Sequence, residues 1–94
     1  MFYISFNVMY FLYILYSQSR DKYYVGSTKD LLERLRRHRS NHKGFTGTAS
    51  DWELAYSAQY SSKREVLARE KEVKSWKSRK RIIALISVGS EHSA

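Results

Sequence analysis

The chain has no cysteine and no proline, and only 4 of its 94 residues are glycine. Without cysteine there is no disulfide framework, no thiolate zinc site and no thiol nucleophile. That suits a reducing compartment, and the expected location is cytoplasmic. The three histidines, His38, His42 and His92, lack the paired spacing of a zinc site. Acids are also scarce: 9 Asp and Glu stand against 17 Lys and Arg, a formal net charge of +8. On a domain this small, such an imbalance points to a polyanionic partner. Nucleic acid is the first choice and an anionic membrane surface the second. A merely soluble basic protein is the plain alternative.

No apolar run is long enough to span a membrane. Met1 to Tyr16 is nearly continuous in apolar and aromatic residues, broken at Ser5 and Asn7, but a spanning helix needs roughly 20. The run lacks the positive start and small-residue cleavage site of a signal peptide, and its Tyr and Phe favour a strand. No membrane association is expected. The length allows one domain, with little area left for a second function. Residues 1–8 are expected to be an N-terminal extension, disordered or fortuitous, because Met9 would serve equally well as a start. The domain is expected over 9–87, with a frayed tail over 88–94.

The pattern predicts two strands, Tyr10 to Tyr16 and Lys22 to Ser27, joined by the polar turn Gln18 to Asp21 as an antiparallel hairpin. Gly26 is expected to end the second strand, where backbone freedom is useful. Asp30 and Glu33 then form a capping-box pattern. It opens a helix with Leu31, Leu32 and Leu35 on its apolar face and Arg36, Arg37 and Arg39 outward. Ser40 to Ser50 reads as a loop and Trp52 to Tyr60 as a third strand. Ser62 and Glu65 cap a helix running to about Lys77. Arg79 to Ile86 forms another, with Ile82, Ile83, Leu85 and Ile86 apolar. The order β-β-α-β-α-α predicts an α+β fold, a small three-stranded antiparallel sheet flanked by helices.

Within that frame a few residues suit chemistry. On the second helix, Val66 and Val73 mark the buried stripe and Glu70 falls inside it. A carboxylate there needs a positive partner: a divalent cation, a buried arginine, or the salt bridge of an ordinary structural role. Arg34 and His38 are four apart on the first helix and point the same way. Arg34 sits at the edge of the apolar face, where its stem can pack while its fork reaches a phosphate. Tyr13 and Tyr24 lie on adjacent strands. A phenol titrates near 10, so it acts as a base at neutral pH only with help from a metal or an arginine. Lys29, Arg36, Arg37, Lys43 and Lys77 lead a set of spread basic residues suited to phosphate-backbone contact. Phe45 and Trp52 are able to stack on bases or to serve as core anchors.

Together these features resemble the GIY-YIG nuclease family, specifically its small stand-alone bacterial members. Phe11-Leu12-Tyr13 corresponds to the first motif and Tyr24-Val25-Gly26 to the second. Arg34 matches the family arginine, His38 the histidine after it, and Glu70 the metal-ligand glutamate. Phe11 stands where the first motif carries glycine, and no asparagine follows Glu70. The resemblance runs from about Tyr10 to Ile86. It implies a metal-dependent DNA endonuclease, in repair or recombination, with Mg²⁺ or Mn²⁺ on Glu70. It further implies Tyr13 or Tyr24 on the attacking water, Arg34 on the scissile phosphate, and His38 orienting a tyrosine or assisting proton transfer. The DNA would be duplex or branched, with RNA also open, and sequence specificity would have to come from a protein partner. Two rival readings are a non-catalytic basic nucleic-acid-binding module and a peripheral membrane protein held by Met1 to Tyr16.

Overall fold

The computed structural model describes residues 8–40 and 45–89. The expected extension (apart from Val8), Lys43 and the end of the expected tail lie outside them, as does the side chain of Phe45. The order is β1 (Tyr10–Ser17), β2 (Lys22–Thr28), α1 (Leu31–Arg39), a short 3-10 turn (Phe45–Thr48), β3 (Trp52–Tyr60), α2 (Lys63–Ser75) and α3 (Arg79–Ser87). The fold is α+β, with one antiparallel sheet in the order β2-β1-β3. The central strand β1 is the most apolar, because it alone is covered on both faces and both edges.

The period-two alternation of β1 divides the core. Leu12 and Ile14 face one side and pack with Tyr56, Ala58, Val66, Val73, Ile82 and Leu85, beneath α2 and α3. Tyr13 and Leu15 face the other and pack with Trp52, Tyr24, Leu31 and Leu35, beneath α1. Strict alternation would put Trp52 and Tyr56 on one face. A bulge in β3 separates them: Ile14 pairs with Tyr56 and Leu15 with Leu54, so Ala55 is extra and the pleat reverses. Trp52 thereby becomes an α1-side anchor with no exposed surface, which removes it as a base-stacking residue.

Helix ends follow their caps. Asp30 accepts the Glu33 N–H at 3.1 Å, but the reciprocal half of the capping box is absent. The Asp30 N–H goes to the Thr28 hydroxyl and the Glu33 carboxylate to Arg36. Ser62 and Ser78 accept from Glu65 and Arg81. Helix α2 stops at Ser75 rather than Lys77, because Lys77 takes a left-handed φ of 49° and Ser78 begins the next cap. Helical geometry also corrects two apolar residues. Leu31 and Leu35 share the inward face, which leaves Leu32 82% exposed, and Ile83 points away from the α3 stripe at 45%. Arg39 is not wholly outward either, since its Nε donates to the Trp52 carbonyl at 2.7 Å. Among the described residues no helix is long and apolar enough to cross a membrane.

Candidate active site

The polar exception in an otherwise apolar α1-side core is a chain of hydrogen bonds. Tyr13 is 1% exposed, and its hydroxyl meets His38 Nε2 at 2.8 Å. On the far side of the ring, His38 Nδ1 meets the Thr46 hydroxyl at 2.7 Å. The Thr46 carbonyl accepts the Trp52 indole N–H at 2.7 Å, which ties the 3-10 turn to β3. The Tyr13 and Thr46 hydroxyls can each donate or accept, so these two contacts suit a neutral imidazole. This matters because His38 is itself 6% exposed, and a buried unpaired charge is costly.

The Tyr24 ring lies 4.8 Å from His38 and 6.3 Å from Tyr13, closing the group from the β2 side. Burial pushes the Tyr13 phenol well above its ordinary value, and the neighbouring Tyr24 and the Glu70 carboxylate add to the rise. The nearby Arg34 guanidinium pulls the other way without cancelling it. At neutral pH Tyr13 is therefore a phenol and not a phenolate. It accepts a proton only while passing its own to His38.

Gly26 is required at this point for space, not for backbone freedom. It lies within β2, which continues to Thr28, directly across from Tyr13. A Cβ there would sit 2.6 Å from the Tyr13 hydroxyl and 2.7 Å from the carbon that bears it. The phenol lies over a strand position that only glycine leaves open.

The next residue, Ser27, faces the opposite side of the sheet and donates to Glu70 Oε1 at 2.5 Å. Glu70 Oε2 pairs with Lys74 one turn along α2 at 2.7 Å. Glu70 is mostly buried, as its place in the stripe predicts, and the positive partner is a lysine rather than a buried arginine. The phenol and the carboxylate thus flank two successive residues of the edge strand, Gly26 and Ser27, from opposite faces.

Arg34 joins the two sides. It lines an apolar pocket with Tyr13 and Leu35 and also a cleft shared with Ser27, Lys29 and Lys63. Of the five residues expected to act together, Tyr13, Tyr24 and His38 form one group beside Gly26, Arg34 borders a pocket with Tyr13 and a cleft with Ser27, and Glu70 meets Ser27 from the α2 side. Of the expected phosphate contacts, Lys29 borders the Arg34 cleft. Lys77 borders a larger one near the other end of β2. Arg36 is exposed and paired with Glu33 at 2.7 Å, and Arg37 is exposed; neither lines these clefts. Ser27 and Thr46 escape the sequence reading, which takes Lys74 as one of the spread phosphate-contact residues and not as the partner of Glu70. That pairing was open to it, Lys74 being an i+4 partner of a stripe carboxylate. Thr46 was not, because a loop hydroxyl becomes legible only once the loop has folded back.

Comparison with protein families identifies the domain. The model of the GIY-YIG catalytic domain matches residues 9–82. No curated protein and no solved structure matches the chain.

Proposed function

The chain belongs to the GIY-YIG family, and on that premise we propose that it is a metal-dependent endonuclease hydrolysing DNA phosphodiester bonds. The observation that carries the reading is the convergence at β2: the Tyr13–His38–Thr46 relay over Gly26 and the Glu70 carboxylate bound to Ser27.

The donor set decides which metal is compatible. Among the described residues no group of three or more His, Cys, Asp or Glu could hold an ion. That is a poor fit to zinc, which takes three or four protein ligands. It suits Mg²⁺ or Mn²⁺, since Mg²⁺ is held by one or two carboxylates with waters and substrate oxygens completing the shell. Glu70 would be the ligand, with Ser27 fixing the orientation of its carboxylate. An ion bound there supplies positive charge to a phosphate oxygen and to the leaving oxygen.

The remaining steps belong to the chain. Arg34 binds the scissile phosphate with its planar fork and stabilises its developing charge. Tyr24, the more exposed of the two tyrosines, orients the attacking water. As the water oxygen bonds to phosphorus, its proton passes to the Tyr13 oxygen and the Tyr13 proton passes to His38 Nε2. The P–O3′ bond breaks and the leaving O3′ takes a proton from solvent water, leaving a 5′-phosphate and a 3′-hydroxyl, while the imidazolium of His38 later releases its proton to solvent. Thr46 accepts from Nδ1 and so stabilises the imidazolium that forms.

One observation favours the rival reading of a non-catalytic binding module. Both Glu70 oxygens already have partners, as a structural carboxylate would. Magnitude weighs against it: the lysine of the pair is half exposed, and an i,i+4 ion pair contributes only about 0.3–0.5 kcal/mol, so Lys74 is a weak competitor for a divalent cation. Nicking of supercoiled plasmid with Mg²⁺ or Mn²⁺ separates the two. Glu70→Gln is expected to lower the rate by at least about 10³-fold with unchanged circular dichroism. Equal nicking by the variant, or none by the native chain with either ion, would sink the nuclease assignment.

A further inference from the structure

A second cleft lies beside this site and has no role in the scheme above. Its volume is about 530 Å³, within the range of small-ligand pockets. It follows β2, which among the described strands pairs with β1, and is closed by the corner where α2 turns into α3.

Two chemistries meet in it. Its rim carries four cations, Lys22, Lys74, Lys77 and Arg79. The lone acid lining it, Asp21, is held by Arg79, whose guanidinium also lies 5.1 Å over the Tyr23 ring. Its floor is apolar: Val25, Val73 and Ile82. The cleft is also joined to the candidate site at two points. Lys74 borders it while pairing with Glu70. Tyr24 borders it while packing against His38.

A cationic rim alone would suit the backbone of any nucleic acid. The floor is more selective. A duplex offers phosphates and sugars on its outside and keeps its base faces stacked, so it has nothing to place against Val25 and Ile82. A base that has left the stack does, and burying it there recovers apolar area lost on unstacking. From Glu70 to Lys74 is one helical turn, about 6 Å along the axis, so the ligand would lie next to the scissile phosphate.

We propose that this cleft binds one unpaired nucleotide of the substrate strand, its phosphate on Lys74 and Lys77 and its base on the floor formed by Val25, Val73 and Ile82. The substrate is then DNA with an unpaired residue beside the cut: a tail, a flap or a frayed end. The inference rests on the nuclease reading for the identity of the strand, but its test needs no cleavage.

The test is methyl NMR on the full chain without metal, following Val25, Val73 and Ile82. Deoxyadenosine monophosphate and a short duplex with an unpaired tail are expected to shift these methyls. Inorganic phosphate and the blunt duplex are not. Lys77→Glu, at an exposed position, is expected to weaken the tailed duplex about tenfold more than the blunt one. Methyls that stay silent with the nucleotide, or that respond equally to blunt duplex, overturn the proposal and leave the nuclease reading standing. Shifted methyls in a chain that nicks nothing with either ion keep the cleft and remove the nuclease.

Discussion

The two faces of the sheet are built from the same strand and do different work. Beneath α2 and α3 the buried residues are almost wholly apolar, from Leu12 and Ile14 through Val66 and Val73 to Ile82 and Leu85. Beneath α1 the buried cluster is smaller, and a tyrosine, a histidine and a threonine run through it in one line of hydrogen bonds. Area removed from water stabilises a fold in proportion to its apolar content, whereas a buried polar chain is costly unless every member is paired. The buried core beneath α2 and α3 therefore carries stability, with the Ser27–Glu70 pair at its edge as its one polar exception used by the proposed chemistry. The α1 face carries chemistry and tolerates very little movement.

A pair of substitutions tests that division where the effects are largest. In Gly26→Ala the new methyl would lie 2.6 Å from the Tyr13 hydroxyl and 3.1 Å from the Tyr24 ring. Tyr13 is held by His38 and cannot yield without leaving its line. A misplacement of about 1 Å can cost about 10²-fold in rate, and overpacking costs about 1–3 kcal/mol. In Leu85→Ala a core side chain on the other face is cut back at a cost of about 2–5 kcal/mol, with nicking at 25 °C unchanged within about twofold. Plasmid nicking and urea denaturation on both variants provide the comparison. Loss of rate in Leu85→Ala with full folding, or normal rate in Gly26→Ala, would show that the faces are not separable.

The sequence carried one face better than the other, for a physical reason. Hydrophobic periodicity reports the face that is simply apolar, so β1, the Val66–Val73 stripe and the Ile82–Leu85 pair were legible. Glu70 was legible as the misfit in that stripe. Tyr13, Arg34 and His38 were legible through helical spacing and the family pattern, which names residues but not their partners. What stayed hidden depends on tertiary placement. The bulge at Ala55 reverses a pleat without a signature of its own, and so moves Trp52 to the α1 side. Gly26 looked like a strand end, because nothing local shows that a phenol from the neighbouring strand crosses it. Thr46 lies in a Gly- and Ser-bearing loop and gains its role only when His38 faces it. Leu32 was placed in the core by type, although a residue one position from Leu31 on a helix points elsewhere.

The middle of the range belongs to Thr46, which meets no substrate and acts through His38. Thr46→Val keeps the shape and removes the hydroxyl that meets His38 Nδ1. A loss of about tenfold in nicking rate is expected, with the acid limb of the pH–rate profile moved because the imidazolium is no longer supported. Thr46→Ser is expected to restore both. The ¹⁵N shifts of His38 supply a reading that packing alone would not change: a defined neutral tautomer in the native chain and a tautomer mixture in Thr46→Val. Unaltered shifts would make Thr46 a loop anchor and no more.

The smallest effect is the most direct test of how dry the α1 face is. Burial holds the Tyr13 phenol above its ordinary value, so the folded chain keeps a proton that the unfolded chain releases near pH 10. For a group raised in this way the contribution is complete below the unfolded value and is lost as pH climbs toward the folded one. Stability should therefore fall through alkaline pH with a slope from this group of at most about 1.4 kcal/mol per pH unit. Tyr13→Phe removes that slope, although it also removes the hydroxyl partner of His38 and lowers stability at every pH. The informative quantity is thus the difference in slope between pH 9 and 11, read from urea midpoints, with absorbance at 295 nm counting phenolates in the folded state. A wild-type curve parallel to that of Tyr13→Phe, or a full complement of eight phenolates before unfolding, would mean that water reaches the Tyr13 oxygen in the resting protein. In that case the phenol would not need His38 to hold its proton, and the polar line beneath α1 would be a matter of packing.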